Sequence, residues 1–297
     1  MTTGVLALAF KVSRVRFWLY LGGTYAVGYI AGLAHTGTYT GVDGLLQALS
    51  APLFLLHLLF FMFPANVFLY GVNDISDKDT DVFNPKKDDK EYRATIGDAT
   101  KLYGIVVLSF IYGLTLMLLQ FNDLTAVLLI LSWMTLSVLY SAKPFRLKAV
   151  PVLDFVSNFL YVVPAILAFY QVTATVPPLV PLSAAFFWTS AMQVFSAIPD
   201  IDADRKANVR TTAVAIGRTA SLLLCLVFWA LFAAVLTIVT PWNYPVNLLT
   251  LVYPAIPLYL LLRPSTDITK TYWYFPYYTG VFGMTITLSL LLQIAAM

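Results

Sequence analysis

Long apolar runs separated by short polar stretches set the pattern of this chain, and each run approaches the ~20 residues that a helix needs to cross a bilayer. Nine such spans are predicted, at about Phe17–Ala34, Leu49–Tyr70, Leu102–Gln120, Leu124–Tyr140, Pro151–Tyr170, Pro178–Ile198, Ala220–Thr240, Val246–Leu262 and Phe275–Ala295. The expected fold is all-α: one membrane domain over residues 1–297, a polytopic bundle of nine transmembrane helices. Basic residues ahead of the first run also suit a signal peptide, but no small-residue cleavage site follows, so the run is read as a span.

The polar stretches are strongly asymmetric. All 18 Lys and Arg residues fall in the N-terminal stretch and in every second loop. By the positive-inside rule the basic face is cytoplasmic, which puts the N-terminus inside and the C-terminus outside. Composition agrees: 60% of the residues are hydrophobic, 11% are charged and mean hydropathy is +0.79, whereas a soluble domain carries roughly twice that charged fraction. The expected surroundings are membrane lipid, and no nucleic-acid partner is expected. Cys225, the one cysteine, lies in an apolar span and is read as packing.

Thirteen of the fifteen acidic residues gather at the basic face, mostly in the loops after the second and sixth spans. These two Asp-rich loops are expected to form a cap over the bundle. The first reads "NDISDKDTD" from Asn73 to Asp81, and the second "IPDIDADRKANVRTTAVAIG". If the helix of the second span continues, Asn73, Asp77 and Asp81 share one face, with Asp74 at its border. Asp200 and Asp204 repeat that spacing. Shifting the chain by 127 places brings Asn73 onto Asp200, Asp77 onto Asp204 and Lys78 onto Arg205, as a parallel internal repeat with equivalent second and sixth spans would.

Two such faces present hard oxygen ligands suited to Mg²⁺, which bridges carboxylates to substrate phosphates. A single acidic run is usually a solvated loop; two matched runs at span ends argue otherwise. A calcium loop fails because its sixth and twelfth positions are Val82 and Asp88 in the first stretch, and Arg205 and Thr211 in the second. Lys78 and Arg205 directly follow aspartates, and "YSAKPFRLK" (Tyr140, Lys143, Arg146, Lys148) and "SRVRFW" (Arg14) add cations nearby. Cations beside metal-binding carboxylates are what a departing diphosphate requires. Within the spans, Asn66, Asn158 and Gln193 are candidates to line a cavity, Asp154 is a further polar candidate, and His57 is read as an interhelical hydrogen-bonding group.

Asn73-Asp74-x-x-Asp77-x-x-x-Asp81 and Asp200-x-x-x-Asp204, four spans apart, resemble the UbiA-type intramembrane prenyltransferases over nearly the whole chain. "YSAKPFRLK" is similar to that family's tyrosine–lysine motif, with Lys143 where many relatives have proline, and "DADRKANVRTTAVAIG" (Arg205, Arg210) resembles its second loop. "SRVRFWLYLGG", "YGVNDISDKDTDVFNPKKDDKE" and "KAVPVLDFVSNFLYV" look most like the lycopene elongases of C50 carotenoid synthesis. The resemblance implies Mg²⁺ held by Asn73, Asp77, Asp81, Asp200 and Asp204, and an allylic prenyl diphosphate, dimethylallyl diphosphate, ionised against Lys78, Arg205, Lys143, Arg146 and Arg14. The lipophilic acceptor would be lycopene. A quinone precursor, a chlorophyll-type ring or a glycerol phosphate stays open as acceptor, though the spans hold few groups to bind an acidic one. From another class, a cation-coupled transporter stays open too; it wants ionisable residues at midmembrane, and here the acids gather at one surface.

Overall fold

The computed structural model describes residues 4–78, 92, 96–240 and 243–297, and among these it contains helices and no strands. In chain order the α-helices are α1 (Val5–Ser13), α2 (Thr24–Thr36), α3 (Gly41–Leu49), α4 (Pro52–Met62), α5 (Pro64–Ser76), α6 (Ala99–Leu119), α7 (Leu124–Ser141) and α8 (Leu153–Val156). They continue with α9 (Val163–Thr173), α10 (Leu179–Ala197), α11 (Ile201–Lys206), α12 (Thr212–Val239), α13 (Tyr244–Asn247), α14 (Val252–Leu262) and α15 (Ile268–Ala295).

Among the described residues, six helical stretches are long and apolar enough to cross a membrane, and Leu153–Tyr161 with Val163–Thr173, bent by 40°, makes a seventh. Seven of the nine expected spans therefore have that length among the described residues. The first span is a π-helical turn, Leu19–Gly23, running into the 13-residue α2, and the eighth is the shorter apolar stretch Leu248–Leu262. At 1.5 Å per residue, neither α2 alone nor that stretch covers a ~30 Å hydrocarbon core. Most of the first Asp-rich loop, including Asp81, lies outside the described residues.

Breaks in the helices are matched by polar partners, as a backbone surrounded by lipid requires. Pro64 opens α5 and has no N–H to continue α4, so Phe63 leaves helical geometry (φ −128°, ψ −66°). The carbonyls released there are met by Asn66, whose Nδ2 donates to Phe61 O at 2.9 Å and to Met62 O at 3.1 Å. Asn66 is fully buried in this role; it is placed at the break rather than along the cavity wall expected for it. Gly217 supplies a second break inside α12, at φ 78°.

Outward faces are apolar and the interior is aromatic. On α12, Leu223, Val227 and Leu231 are exposed one turn apart, while Cys225, Trp229 and Phe232 are buried. Cys225 packs with its Sγ 3.4 Å from Ala191 O on α10. A buried polar knot ties four helices together. The His57 ring contacts Leu53 O at 2.8 Å and Gln120 at 2.9 Å, Gln171 donates to Gln120 at 2.8 Å, and Tyr25 donates to Gln171 at 2.7 Å. That is the interhelical role read for His57.

Close approach of α2 to α9 depends on Gly28 and Gly32, four residues apart on one face, as in small-residue helix pairs within membranes. A Cβ on Gly28 would lie 2.2 Å from the backbone oxygen of Ala165, and one on Gly32 would lie 2.9 Å from Val172 Cβ. Backbone cannot swing aside as a side chain does. Gly28→Leu therefore destabilises the bundle by about 3 kcal/mol or more, seen as loss of the monodisperse peak in detergent size-exclusion chromatography; a wild-type profile and melting temperature would refute this contact.

Candidate active site

The site forms where α5 ends. Asp77 caps that helix, its N–H bonded to Asn73 O at 2.9 Å, so Asn73 and Asp77 stand one turn apart. Asp74 is fully buried and meets Arg14, whose Nη2 lies 3.0 Å from Asp74 Oδ1. Arg14 ends α1 in a left-handed conformation (φ 50°), and its guanidinium lies 4.6 Å from the ring centroid of Tyr70, one turn before Asp74. Asp77 meets two cations from the loop after α7: Arg146 Nη2 at 2.7 Å from Oδ1, and Lys148 Nζ on Oδ2. Arg146 is also left-handed (φ 41°), which turns the "YSAKPFRLK" loop back toward α5.

Burial by itself raises the Asp77 carboxyl; Lys148 and then Arg146 outweigh it and hold the group below the usual carboxylate range. The carboxylate therefore stays ionised at any neutral pH.

The second stretch is built differently. Asp200 closes a 3-10 turn, Ile198–Asp200, and Asp204 lies in the short α11. Thr211 approaches Asp204 Oδ2 at 3.5 Å. Asp154 is a support for this loop: its carboxylate accepts from Thr212 N at 2.7 Å and from Thr212 Oγ1 at 2.5 Å, fixing the start of α12.

Beneath the aspartates is a cavity of about 150 Å³. Arg14, Asn73, Tyr140, Asn158 and Gln193 line it, so five of the residues singled out in the sequence meet there. Asn73 Nδ2 donates to Ser141 Oγ at 3.3 Å, Tyr140 donates to Gln193 Oε1 at 2.9 Å, and Asn158 Nδ2 to Thr189 O at 2.7 Å. Five rings, Phe17, Tyr20, Tyr70, Tyr161 and Tyr272, make up much of the remaining wall, with Leu69, Met192 and Ser196. The Tyr70 and Tyr161 hydroxyls are 3.1 Å apart. Sequence reasoning singled out none of these rings; the one available signal was Tyr70, three residues before Asn73 on the same helix.

Other predicted residues stand outside this cavity. Lys78 is exposed, its Nζ 5.7 Å from the centroid of the Tyr103 ring. Arg205 is exposed and faces Asp202 at 3.7 Å. Lys143 and Arg210 are exposed. The oxygen donors have the chemistry of a Mg²⁺ site, two carboxylate-bearing elements with one-turn spacing. Among the described residues, however, no three Asp, Glu, His or Cys side chains gather about one point, and Asp77 is held by Arg146 and Lys148.

Comparison with known proteins agrees with this picture. The model of the UbiA prenyltransferase family matches residues 38–280. A lycopene elongase/hydratase of Haloarcula japonica is 39% identical over 286 residues, covering 96% of this chain and 91% of that protein. Two solved structures share the fold. One is a UbiA homolog from Archaeoglobus fulgidus bound to GPP and Mg²⁺ (TM-score 0.64, 19% identity, 94% of this chain and 99% of that one). The other is an apo UbiA homolog from Aeropyrum pernix (TM-score 0.67, 14% identity, 94% and 98%). The chain belongs to the UbiA prenyltransferase family and is an integral membrane protein. A transporter reading finds no support.

The pairing around Asp77 makes two testable statements. Arg146→Ala with Lys148→Ala takes two cations from a buried carboxylate and costs about 3–5 kcal/mol, and adding Asp77→Asn recovers part of it; additive losses in denaturant titrations would overturn the coupling. Because folding lowers the Asp77 pKa, its pairing stabilises the protein above the unfolded value of about 3.9 and is lost as pH falls through the folded value. Melting temperatures measured from pH 6 down to about pH 3 should fall less steeply in Asp77→Asn; equal slopes would refute it.

Proposed function

We propose that this protein transfers the five-carbon group of dimethylallyl diphosphate to a terminal double bond of lycopene. The observation that carries this reading is the meeting of two unlike spaces. The cavity that holds Arg14, Asn73, Tyr140 and Gln193 in its wall lies beside an apolar cleft of about 360 Å³ whose wall includes Val27, Ala185, Phe232, Leu236 and Met284. The ring of Tyr20, in the cavity, stands edge-on to that of Trp188, in the cleft, at 6.2 Å. A diphosphate suits the first space, and a polyene arriving from lipid suits the second. The curated relative named a lycopene elongase/hydratase supports that acceptor. An acidic phenolic or phosphate acceptor would need cationic partners, and the cleft wall is apolar.

In this reading Arg14, Arg146 and Lys148 take up the charge of the departing diphosphate, with Tyr140 and Gln193 orienting it. Lys78, Lys143, Arg205 and Arg210 stand at the exposed rim, where they draw the anionic donor in. Asn73, Asp77, Asp81, Asp200 and Asp204, bordered by Asp74, would hold Mg²⁺, which when bound supplies Lewis-acid stabilisation of the leaving group. Asp77 and Asp204, with Asn73, would then be the residues on which turnover depends. The rings of Phe17, Tyr20 and Tyr161 present π faces to an allylic cation and keep water from it. The basic face is cytoplasmic, with nine crossings, the N-terminus inside, the C-terminus outside, and the two Asp-rich loops capping the site.

Expression in a lycopene-producing bacterium, with mass spectrometry of the pigments, tests this directly. Carotenoids longer by one or two five-carbon units are expected. Asp77→Ala and Asp204→Ala should each lower their yield by at least about a hundredfold at equal membrane levels. Unchanged lycopene with the wild-type protein in the membrane would remove the acceptor assignment, and near-normal yield in both variants would remove the metal assignment.

A further inference from the structure

Prenyl transfer to an alkene leaves a tertiary cation on the acceptor, and something must end the reaction. The cleft carries a set of hydroxyls where it meets the cavity. Thr279, Tyr253 and Trp188 all line it. Tyr253 donates to Thr279 Oγ1 at 3.4 Å, and the buried Trp188 indole N–H has no hydrogen-bond partner among the described residues. The Tyr20 hydroxyl, which belongs to the polar cavity, lies beside Thr279.

Thr279 is unlike its neighbours on α15. Thr285 and Thr287 turn their hydroxyls back to Val281 O and Gly283 O at 2.9 and 2.8 Å, the default for a threonine in an apolar helix. Thr279 instead pairs across the helix interface with Tyr253. Polar groups gathered inside an apolar wall are costly unless matched, and within a membrane they mark function by default. The cluster therefore has both a place, at the boundary of the two spaces, and an orientation, across it.

We propose that Thr279 and Tyr253 hold the water molecule that captures the acceptor cation, and that Thr279 and Tyr20 carry its proton into the diphosphate cavity. This inference rests on the prenyl-transfer reading above. The π electrons of the acceptor's terminal double bond form the new carbon–carbon bond, while the donor's carbon–oxygen bond breaks and its electron pair leaves with diphosphate. A lone pair of the held water then forms the carbon–oxygen bond to the tertiary cation. The proton released from that oxygen passes along the Thr279 and Tyr20 hydroxyls, each accepting one proton and giving up another, to a diphosphate oxygen. The product is a tertiary alcohol. When the water is not held, the cation loses a proton from an adjacent carbon and the product is an alkene. Thr279 and Tyr253 thus decide hydration against deprotonation.

Pigments from the lycopene-producing host, grown in H₂¹⁸O, give the ratio of hydroxylated to unhydroxylated elongated carotenoid. The wild type should incorporate the label. Thr279→Val and Tyr253→Phe should each lower the ratio by about tenfold, the worth of one hydrogen bond to the held water, and Thr279→Ser should restore it. An unchanged ratio in both variants overturns the proposal. Elongated wild-type products without labelled hydroxyl also overturn it while leaving the prenyl-transfer reading intact. Loss of all elongation in Thr279→Val but not Thr279→Ser would place the hydroxyl in the transfer step instead, and would overturn the assignment as well. A wild type that makes no elongated carotenoid removes both readings together.

Discussion

A carboxylate out of reach of water must find a cation, and at the end of α5 two of them do. Asp74 takes Arg14 from the N-terminal segment, and Asp77 takes Arg146 and Lys148 from the loop after α7. None of the three partners is local in sequence, so the pairs draw three distant parts of the chain to one point. Removing one member of such a buried pair is far more costly than the pair's net worth, because it leaves a bare charge behind. The cavity beneath owes its shape to this: Arg14 closes one wall because Asp74 holds it there, and its guanidinium covers Tyr70 in doing so.

The same charges suit the family's chemistry. In the function proposed, the groups that neutralise each other in the protein are also the groups that an anionic substrate and a divalent cation would engage, one set each. Exchange of partners between near-equivalent electrostatic states is cheaper than creating charge inside an apolar bundle. Elsewhere the interior hides its polar groups. The His57–Gln120–Gln171–Tyr25 knot is satisfied within itself, and Asn66 and Asp154 are consumed by a helix break and a helix start. Around the cavity and at the Tyr20–Thr279 boundary, by contrast, polar groups face a space.

Helix irregularity is concentrated beside the site as well. The π-helical turn Leu19–Gly23 places Tyr20 in the cavity and Leu19 in the cleft, and the bent pair around Val162 brings Asn158 and Tyr161 to the cavity. These departures are possible because other helices cover them; backbone facing lipid could not leave regular geometry at that depth.

What the chain determines on its own is its class and the spacing of its acidic motifs. Apolar runs of membrane length and basic residues confined to alternate loops are properties of local composition, and so is the one-turn spacing of Asn73 with Asp77 and of Asp200 with Asp204. The motifs were specific enough to point to the family. Tertiary structure alone decided which polar residues serve and which merely support. Asn66 lies on the expected helix, yet a proline two residues earlier left carbonyls that its amide meets. Lys78 directly follows Asp77 but faces Tyr103, while Arg146 and Lys148, about 70 places away, reach the carboxylate. Nor could periodicity identify the aromatic wall, since in a chain this rich in Phe and Tyr a ring's role depends on which helix packs against it. Long-range pairing of buried charge and the packing of whole helices are cooperative properties of the fold, and no window of sequence contains them.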